Sequence, residues 1–260
     1  MDDVTPLFIG GMGRSGTTNA LRVLNTHPAV MLNGEVSLSV LKQFFALLDI
    51  ADRSYMGSDE TAEGWKSRKT EYMFESFGYL SKGGRGRLEK GRKATFRGHK
   101  TPRLESLFTD YETHFRGIGL KPRYFYCARN PFDCWRSTKM FSWGTSRSLE
   151  EFLKHYTTSF HTLDQMQQAI GERVSVIKLD ELMAESDPLA WYRKKLFAPL
   201  GLDMPQKTIR RLEKLIAERT TSTAPNISDD ERKTIASYPG IASLMDTVFT
   251  GYEMRSGSRA

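Results

Sequence analysis

Cysteine is scarce in this chain, which contains only Cys127 and Cys134 among its 260 residues. Cys127 falls in a predicted strand and Cys134 in the helix that follows it, so the pair is not expected to form a disulfide. Both thiols are expected to be reduced and buried as small apolar side chains. This cysteine usage excludes a disulfide framework and favours a cytoplasmic protein.

Long apolar runs and metal-ligand clusters are missing as well. No apolar stretch approaches the roughly 20 residues that a membrane-spanning helix needs. Residues 1–4 are acidic and lead directly into the first predicted strand, so we expect neither a membrane anchor nor a signal peptide. No group of histidines and cysteines has the spacing of metal ligands, so we expect no metal site.

The size and charge of the chain narrow its class. With 39% hydrophobic residues it can bury one substantial core, and we expect a single domain over residues 1–255 and a disordered tail over residues 256–260. The formal net charge of +7 favours an anionic ligand. Nucleic acid, acidic membranes and phosphorylated small molecules all fit that charge.

The most informative stretch is LFIGGMGRSGTTNALRVLNTH, residues 7–27. Its apolar start predicts a buried strand, its glycines predict a loop, and residues 17–26 have the apolar spacing of a helix. Glycines let backbone N–H groups turn toward an anion, and a helix N-terminus adds partial positive charge. The stretch therefore predicts a phosphate-binding unit.

The loop follows the P-loop pattern with one departure. Gly11, Gly16 and Thr18 match the pattern G-x-x-x-x-G-K-[ST], but Thr17 stands in place of the lysine. That lysine reaches the β- and γ-phosphates of a nucleoside triphosphate. Its absence favours a nucleotide that ends at its 5′-phosphate or carries a different group there.

Four further segments predict strands, near residues 30, 95, 123 and 174, and helical segments follow them. We expect an α/β fold in which these strands and the first one form a parallel sheet flanked by helices on both faces. A last helix is expected over residues 238–252.

Three of these strands end near side chains that suit chemistry on an anion. Glu35 follows the second strand, His99 and Lys100 follow the third, and Arg129 ends the fourth. In a parallel α/β sheet the carboxyl ends of the strands border the crevice where ligands bind. Glu35 is either a general base there or an acid that favours the start of the next helix. His99 is either a second candidate base or a polar residue at a strand end.

The loop sequence GMGRSGTT resembles the 5′-phosphosulfate loop of the sulfotransferases that use 3′-phosphoadenosine 5′-phosphosulfate (PAPS). Its Arg-Ser-Gly-Thr-Thr form is similar to the bacterial and tyrosylprotein branches of that family. The resemblance implies a P-loop NTPase-like sulfotransferase fold and a loop that holds the 5′-phosphosulfate of the donor. The residues implied are Gly13, Arg14, Ser15, Gly16, Thr17 and Thr18.

The stretch ARNPFDCWRS, residues 128–137, resembles the 3′-phosphate site of the same family. Arg129 and Ser137 hold the positions of an arginine at the strand end and a serine two turns into the helix. A guanidinium suits a phosphate because its planar fork can donate two parallel hydrogen bonds. Leu179, by contrast, stands where the family often has a tyrosine that touches the adenine.

The segment His-Lys-Thr-Pro, residues 99–102, is similar to the Lys-Thr-Pro segment of bacterial sulfotransferases. By this resemblance Glu35 is the catalytic base, ahead of His99. Lys100, with Arg14 and the N–H groups of the loop, stabilises the charge that develops on the sulfuryl group and the bridging oxygen.

The resemblance implies an enzyme, a PAPS-dependent sulfotransferase. It would move a sulfuryl group to a hydroxyl or amine of a small-molecule or carbohydrate acceptor by in-line displacement, without a metal, and release 3′-phosphoadenosine 5′-phosphate (PAP). Neither nucleic acid nor a membrane is then expected as a partner.

Two alternatives stay open: a P-loop kinase or NTPase, and a non-catalytic domain of the same fold that binds nucleotide or nucleic acid. The basic run over residues 82–93 is either a flap over the acceptor or cofactor, or a solvated loop.

Overall fold

The computed structural model describes most of the chain, namely residues 4–55, 59–81, 93–141, 148–218 and 225–250. Nearly all of the basic run over residues 82–93 lies outside these ranges. So do the predicted tail, residues 256–260, and the end of the last predicted helix.

Five strands form one parallel sheet, as the sequence predicts. They are β1 (Thr5–Gly11), β2 (Val30–Asn33), β3 (Phe96–Lys100), β4 (Arg123–Ala128) and β5 (Val174–Lys178). Their order is β2-β3-β1-β4-β5, and each neighbouring pair is parallel. The strand that leads into the glycine loop, β1, is therefore central, and the carboxyl ends of its neighbours lie at the same edge.

Helices surround this sheet. Those of the described residues are α1 (Thr17–Leu24), α2 (Leu38–Tyr55), α3 (Asp59–Leu80), α4 (Phe108–Gly117), α5 (Pro131–Thr138), α6 (Leu149–Ile170), α7 (Leu179–Ala184), α8 (Pro188–Tyr192), α9 (Gln206–Ala217), α10 (Asp229–Ser237) and α11 (Ile241–Thr247). Short 3₁₀ turns occupy Leu104–Leu107, Gly171–Arg173 and Ala198–Leu200, and a π-helical turn spans Arg193–Phe197. Within the described ranges, no helix combines the length and the apolar character that crossing a lipid bilayer requires.

Each face of the sheet has its own apolar core. Phe8 of β1 enters one core, while Leu7 and Ile9 enter the other, because successive side chains of a strand face opposite sides. In β4, Tyr126 enters the first core and Phe125 enters the second. Residues of α2, α3, α4 and α6 complete the first core, and residues of α1, α8 and α9 complete the second. Helices thus cover both faces, which confirms the predicted fold class.

The two cysteines lie inside these cores. Cys127 and Cys134 are both buried free thiols, and burial raises the pKa of each to about 12. Such thiols stay protonated near neutral pH and are unreactive.

The helix predicted over residues 238–252 is wrong at its start. Instead, α10 begins after Ser228, which forms a capping box with Glu231. The chain then turns at Pro239 and Gly240, where the backbone of Gly240 has a φ of 84°, before α11 begins. The prediction therefore misses α10 and begins the last helix three residues before α11 begins at Ile241.

Gly98 offers a test of the sheet packing, because it lies where β3 passes very close to β1. A Cβ atom at this position would lie 2.0 Å from the carbonyl oxygen of Leu7. We expect Gly98→Ala to lower the free energy of unfolding by about 3 kcal/mol or more, as severe overpacking does.

The control is Gly117→Ala, because a Cβ built at Gly117 has no described atom within 4 Å apart from its chain neighbours and the backbone of its own helix. Urea denaturation of both variants measures the difference. Equal midpoints for the two variants would contradict the close pairing of β1 with β3.

Candidate active site

A cavity of about 680 Å³ lies at the carboxyl edge of the sheet. The glycine loop forms one wall, through Gly13, Arg14, Thr17 and Thr18. Glu35, Lys100, Arg103 and Phe152 are among the residues of the opposite walls. Residues separated by more than 130 positions in sequence therefore meet around one space.

The glycine loop is shaped by three residues with positive φ. Gly11 has a φ of 106°, Arg14 of 73° and Gly16 of 100°. Ser15 is buried, and its hydroxyl donates to the carbonyl oxygen of Met12 at 2.5 Å. The Ser15 side chain thus closes the loop on itself, whereas Thr18 is exposed beside the cavity.

Glu105 anchors the start of the glycine loop through the backbone of Gly11. The sequence analysis did not identify this role. The Glu105 carboxylate accepts the backbone N–H of Gly11 at 2.9 Å and the hydroxyl of Ser159. The side chain is fully buried, and burial raises the pKa of this carboxyl group. Glu105 lies in a 3₁₀ turn with no motif around it, so no sequence signal was available.

Arg14 connects the glycine loop to the second predicted phosphate motif. Its Nε donates to the hydroxyl of Ser137 at 3.0 Å, and Arg129 Nη1 lies 3.4 Å from the carbonyl oxygen of Arg14. The guanidinium of Arg14 also stacks over the ring of Phe141, 4.2 Å from its centroid. Burial, together with the nearby charge of Arg129, lowers the pKa of Arg14. The structure therefore brings the two motifs into contact.

Arg129 has a donor without an acceptor. Its Nε is buried and has no hydrogen-bond partner within the described residues. The same guanidinium lies 4.0 Å from a carboxylate oxygen of Asp133. A buried donor that stays unpaired is costly, so it favours a bound acceptor such as a phosphate oxygen.

Asn130 and Asp180 fix the second motif in place. Asp180 accepts both the backbone N–H and the side-chain amide of Asn130 at 2.8 Å each. Asn130 in turn caps α5 by accepting the N–H of Asp133. With both oxygens so engaged, Asp180 is poorly suited to a metal, and within the described ranges no three His, Cys, Asp or Glu side chains are grouped as metal ligands. Asp180 lies in the first turn of α7, two residues after the end of β5.

Glu35 and Lys100 meet in the cavity. The Nζ of Lys100 lies 3.1 Å from an Oε of Glu35. The Lys100 side chain is 8% exposed and the Glu35 side chain 44% exposed. The carboxylate can therefore reach a bound molecule, while the ammonium lies at the base of the cavity.

His99 does not line this cavity. It is fully buried in the apolar core, and burial lowers its pKa to about 3. Its Nε2 lies 2.7 Å from the Tyr111 hydroxyl and its Nδ1 lies 3.2 Å from the Thr101 hydroxyl. Since the Thr101 hydroxyl donates to the carbonyl oxygen of Val36, Nδ1–H must donate to Thr101. His99 therefore braces the chain next to Glu35, and its burial disfavours it as the base.

Leu179 packs on the glycine loop. A Cβ built at Gly16 would lie 3.2 Å and 3.3 Å from the two Cδ atoms of Leu179. Leu179 thus covers the start of α1.

Solved structures of bacterial sulfotransferases share this fold. Sulfotransferase STF9 from Mycobacterium avium matches with a TM-score of 0.58 and 16% identity, over 95% of this chain and 77% of its own. The sulfotransferase domain of the Synechococcus PCC 7002 olefin synthase matches with a TM-score of 0.53 and 15% identity, over 98% and 97%. A sulfotransferase from Alicyclobacillus acidocaldarius matches with a TM-score of 0.52 and 17% identity, over 94% of this chain and 96% of its own.

No protein-family model and no curated protein sequence matches the chain. At identities this low, structural likeness shows the fold. It confirms the P-loop-like sulfotransferase fold that the loop sequence predicts.

The burial of His99 predicts a pH dependence of stability. The folded pKa of about 3 lies below the ordinary value of 6.5, so between these values the unfolded chain binds more protons. Stability is then lost as the pH falls, and we expect His99 to account for about 2 kcal/mol between pH 7 and pH 5.

The measurement is chemical denaturation at both pH values for the wild type and for His99→Asn. The asparagine can still donate to Thr101 but does not titrate. A pH dependence of the same size in both proteins would contradict the assignment. His27 and His114, whose pKa values burial also lowers, contribute equally to both.

Proposed function

We propose that this chain is a PAPS-dependent sulfotransferase. It moves a sulfuryl group from PAPS to a hydroxyl or amine of a small-molecule or carbohydrate acceptor and releases PAP. The observation that carries the proposal is the Glu35–Lys100 pair, 3.1 Å apart, facing the glycine loop across one cavity. A carboxylate to accept a proton and a cation to stabilise departing charge are the two groups that the transfer needs.

The residues present fit the donor. The glycine loop and the first turn of α1 suit the 5′-phosphosulfate, since unpaired N–H groups at a helix N-terminus favour an anion. The buried Nε of Arg129, which has no partner among the described residues, suits the 3′-phosphate. The Ser137 hydroxyl, which Arg14 contacts, belongs to the same motif. A bound dianion would also relieve the repulsion between Arg14 and Arg129 that helps to lower the pKa of Arg14.

PAPS supplies an activated sulfuryl group, whose bond to the bridging phosphate oxygen breaks as the acceptor oxygen bonds to sulfur. In this proposal Glu35 accepts the proton of the acceptor hydroxyl, because its carboxylate is partly exposed in the cavity. Lys100 and Arg14 line the same cavity and stabilise the negative charge that collects on the bridging oxygen. Thr17 replaces the lysine of an NTPase loop, which supports a donor without a γ-phosphate.

The proposal includes a cytoplasmic location. It is supported by the two buried free thiols, since free cysteines are typical of reducing compartments.

Calorimetric titration with PAP, adenosine 5′-phosphate and ATP with Mg²⁺ tests the donor site. We expect PAP to bind most tightly. Arg129→Ala should weaken PAP about 10- to 100-fold, the loss of charge-assisted hydrogen bonds to a phosphate, and should leave adenosine 5′-phosphate nearly unchanged.

Arg116→Ala is the matched control, because Arg116 is exposed on α4 and lines neither motif. A preference for ATP over PAP would overturn the assignment of the donor. So would an equal loss of affinity for PAP and for adenosine 5′-phosphate in Arg129→Ala.

Glu35→Gln tests the base. The amide keeps the shape of the side chain but cannot accept the acceptor's proton, so turnover should fall about 10²-fold or more, with PAP affinity retained. His99→Asn is the comparison and should keep turnover within about tenfold of the wild type, because His99 only braces the chain. Sulfuryl transfer from labelled PAPS to a panel of hydroxylated acceptors measures both, and the reverse pattern would make His99 the base.

A further inference from the structure

A second cavity, of about 340 Å³, adjoins the first. The two cavities share Leu38, Ser39 and Arg103 in their walls. The second is also lined by Lys42 of α2 and by Thr158 and Thr162 of α6. A molecule whose reacting group lies beside Glu35 can therefore extend past Arg103 into this space.

Two cations of the second cavity, Arg103 and Lys42, form no direct ion pair with another described residue. Within the described part of the chain, neither the Arg103 guanidinium nor the Lys42 ammonium makes an ion pair or a side-chain hydrogen bond. Lys100, in the first cavity, is paired with Glu35. Both Arg103 and Lys42 therefore remain available to an anion.

The carboxyl group in the wall of the second cavity already accepts two hydrogen bonds. Glu105 also lines the second cavity, but it accepts the Gly11 N–H and the Ser159 hydroxyl. Its charge also interacts with that of Arg103, but the wall of this cavity contains two cationic side chains, Arg103 and Lys42, and one carboxyl group. The cavity is therefore electropositive.

Arg103 is held at the boundary of the two cavities by a strained backbone. Its φ is 61°, in the left-handed region that a non-glycine residue rarely adopts. Its backbone N–H donates to the carbonyl oxygen of Gly11 at 2.8 Å. Strain of this kind persists where surrounding structure requires it, and here it fixes the arginine next to the glycine loop.

Hydroxyl groups supply the remaining polar surface. Thr158 and Thr162 donate to backbone carbonyls one turn earlier on α6, and Ser106 donates to the carbonyl oxygen of Arg103. Each of these hydroxyl oxygens keeps lone pairs that can accept a hydrogen bond. Such acceptors suit a ligand that carries several hydroxyl groups.

We propose that the second cavity binds an anionic group of the acceptor, and that the acceptor is an acidic sugar. A carboxylate of that sugar lies against Arg103 and Lys42, and one of its hydroxyls lies beside Glu35. Arginine suits this role because its fork donates two hydrogen bonds to one carboxylate. The inference rests on the proposed function, since it names the substrate class of the same site.

The test compares p-nitrophenyl β-glucuronide with p-nitrophenyl β-glucoside, in which a hydroxymethyl group replaces the C6 carboxylate. Binding to the protein saturated with PAP is measured by calorimetry, and sulfuryl transfer from PAPS is measured alongside it. We expect the wild type to bind the glucuronide about tenfold more tightly than the glucoside, as one charge-assisted contact gives. Arg103→Gln should remove that preference without changing the affinity for PAP.

Arg116→Gln is the matched control, because it removes the same charge from an exposed site outside both cavities, and it should keep the preference. Equal binding of the two glycosides, no binding of either, or a preference that survives in Arg103→Gln would overturn the inference. If the wild type does not bind PAP, the proposed function itself is overturned. Failure of the inference and failure of the proposed function are therefore distinguishable.

Discussion

The candidate site depends on the way the chain leaves the central strand at Gly11. A Cβ atom there would lie 2.2 Å from the carbonyl oxygen of Cys127, so only glycine lets β1 stay paired with β4 while the backbone turns outward. The N–H of the same residue is held by Glu105. The same carboxyl group accepts the Ser159 hydroxyl, so Glu105 ties the start of the loop to α6.

The candidate site also depends on the contact between the glycine loop and the motif that contains Arg129 and Ser137, which lie far apart in the sequence. Arg14, itself in a left-handed conformation, reaches Ser137, and Arg129 reaches back to the Arg14 backbone. The Arg129 guanidinium is thus anchored on the backbone of the residue whose own side chain reaches Ser137. The two proposed phosphate sites are therefore parts of one hydrogen-bonded network, and a donor that fills one of them meets a preorganised partner site.

Local patterns made much of this structure predictable from the sequence. The five strands, the glycine loop and the position of Arg129 at a strand end follow from apolar runs, turn residues and spacing within a few positions. The choice between Glu35 and His99 did not follow, because it depends on burial: Phe8, Phe77 and Tyr111 enclose His99, and that packing is tertiary. Glu105 and Arg103 were missed for the same reason, since their roles come from contacts with Gly11.

The ion pair between Glu35 and Lys100 has a consequence for how the chain can vary. The Lys100 ammonium is almost buried. Removing the Glu35 carboxylate alone would leave this positive charge uncompensated at a site with little access to water. Removing the lysine alone would leave Glu35 facing the donor's negative charge without a neutralising neighbour. Related chains are therefore expected to keep both residues or to replace both, so that the two positions change as one inherited unit.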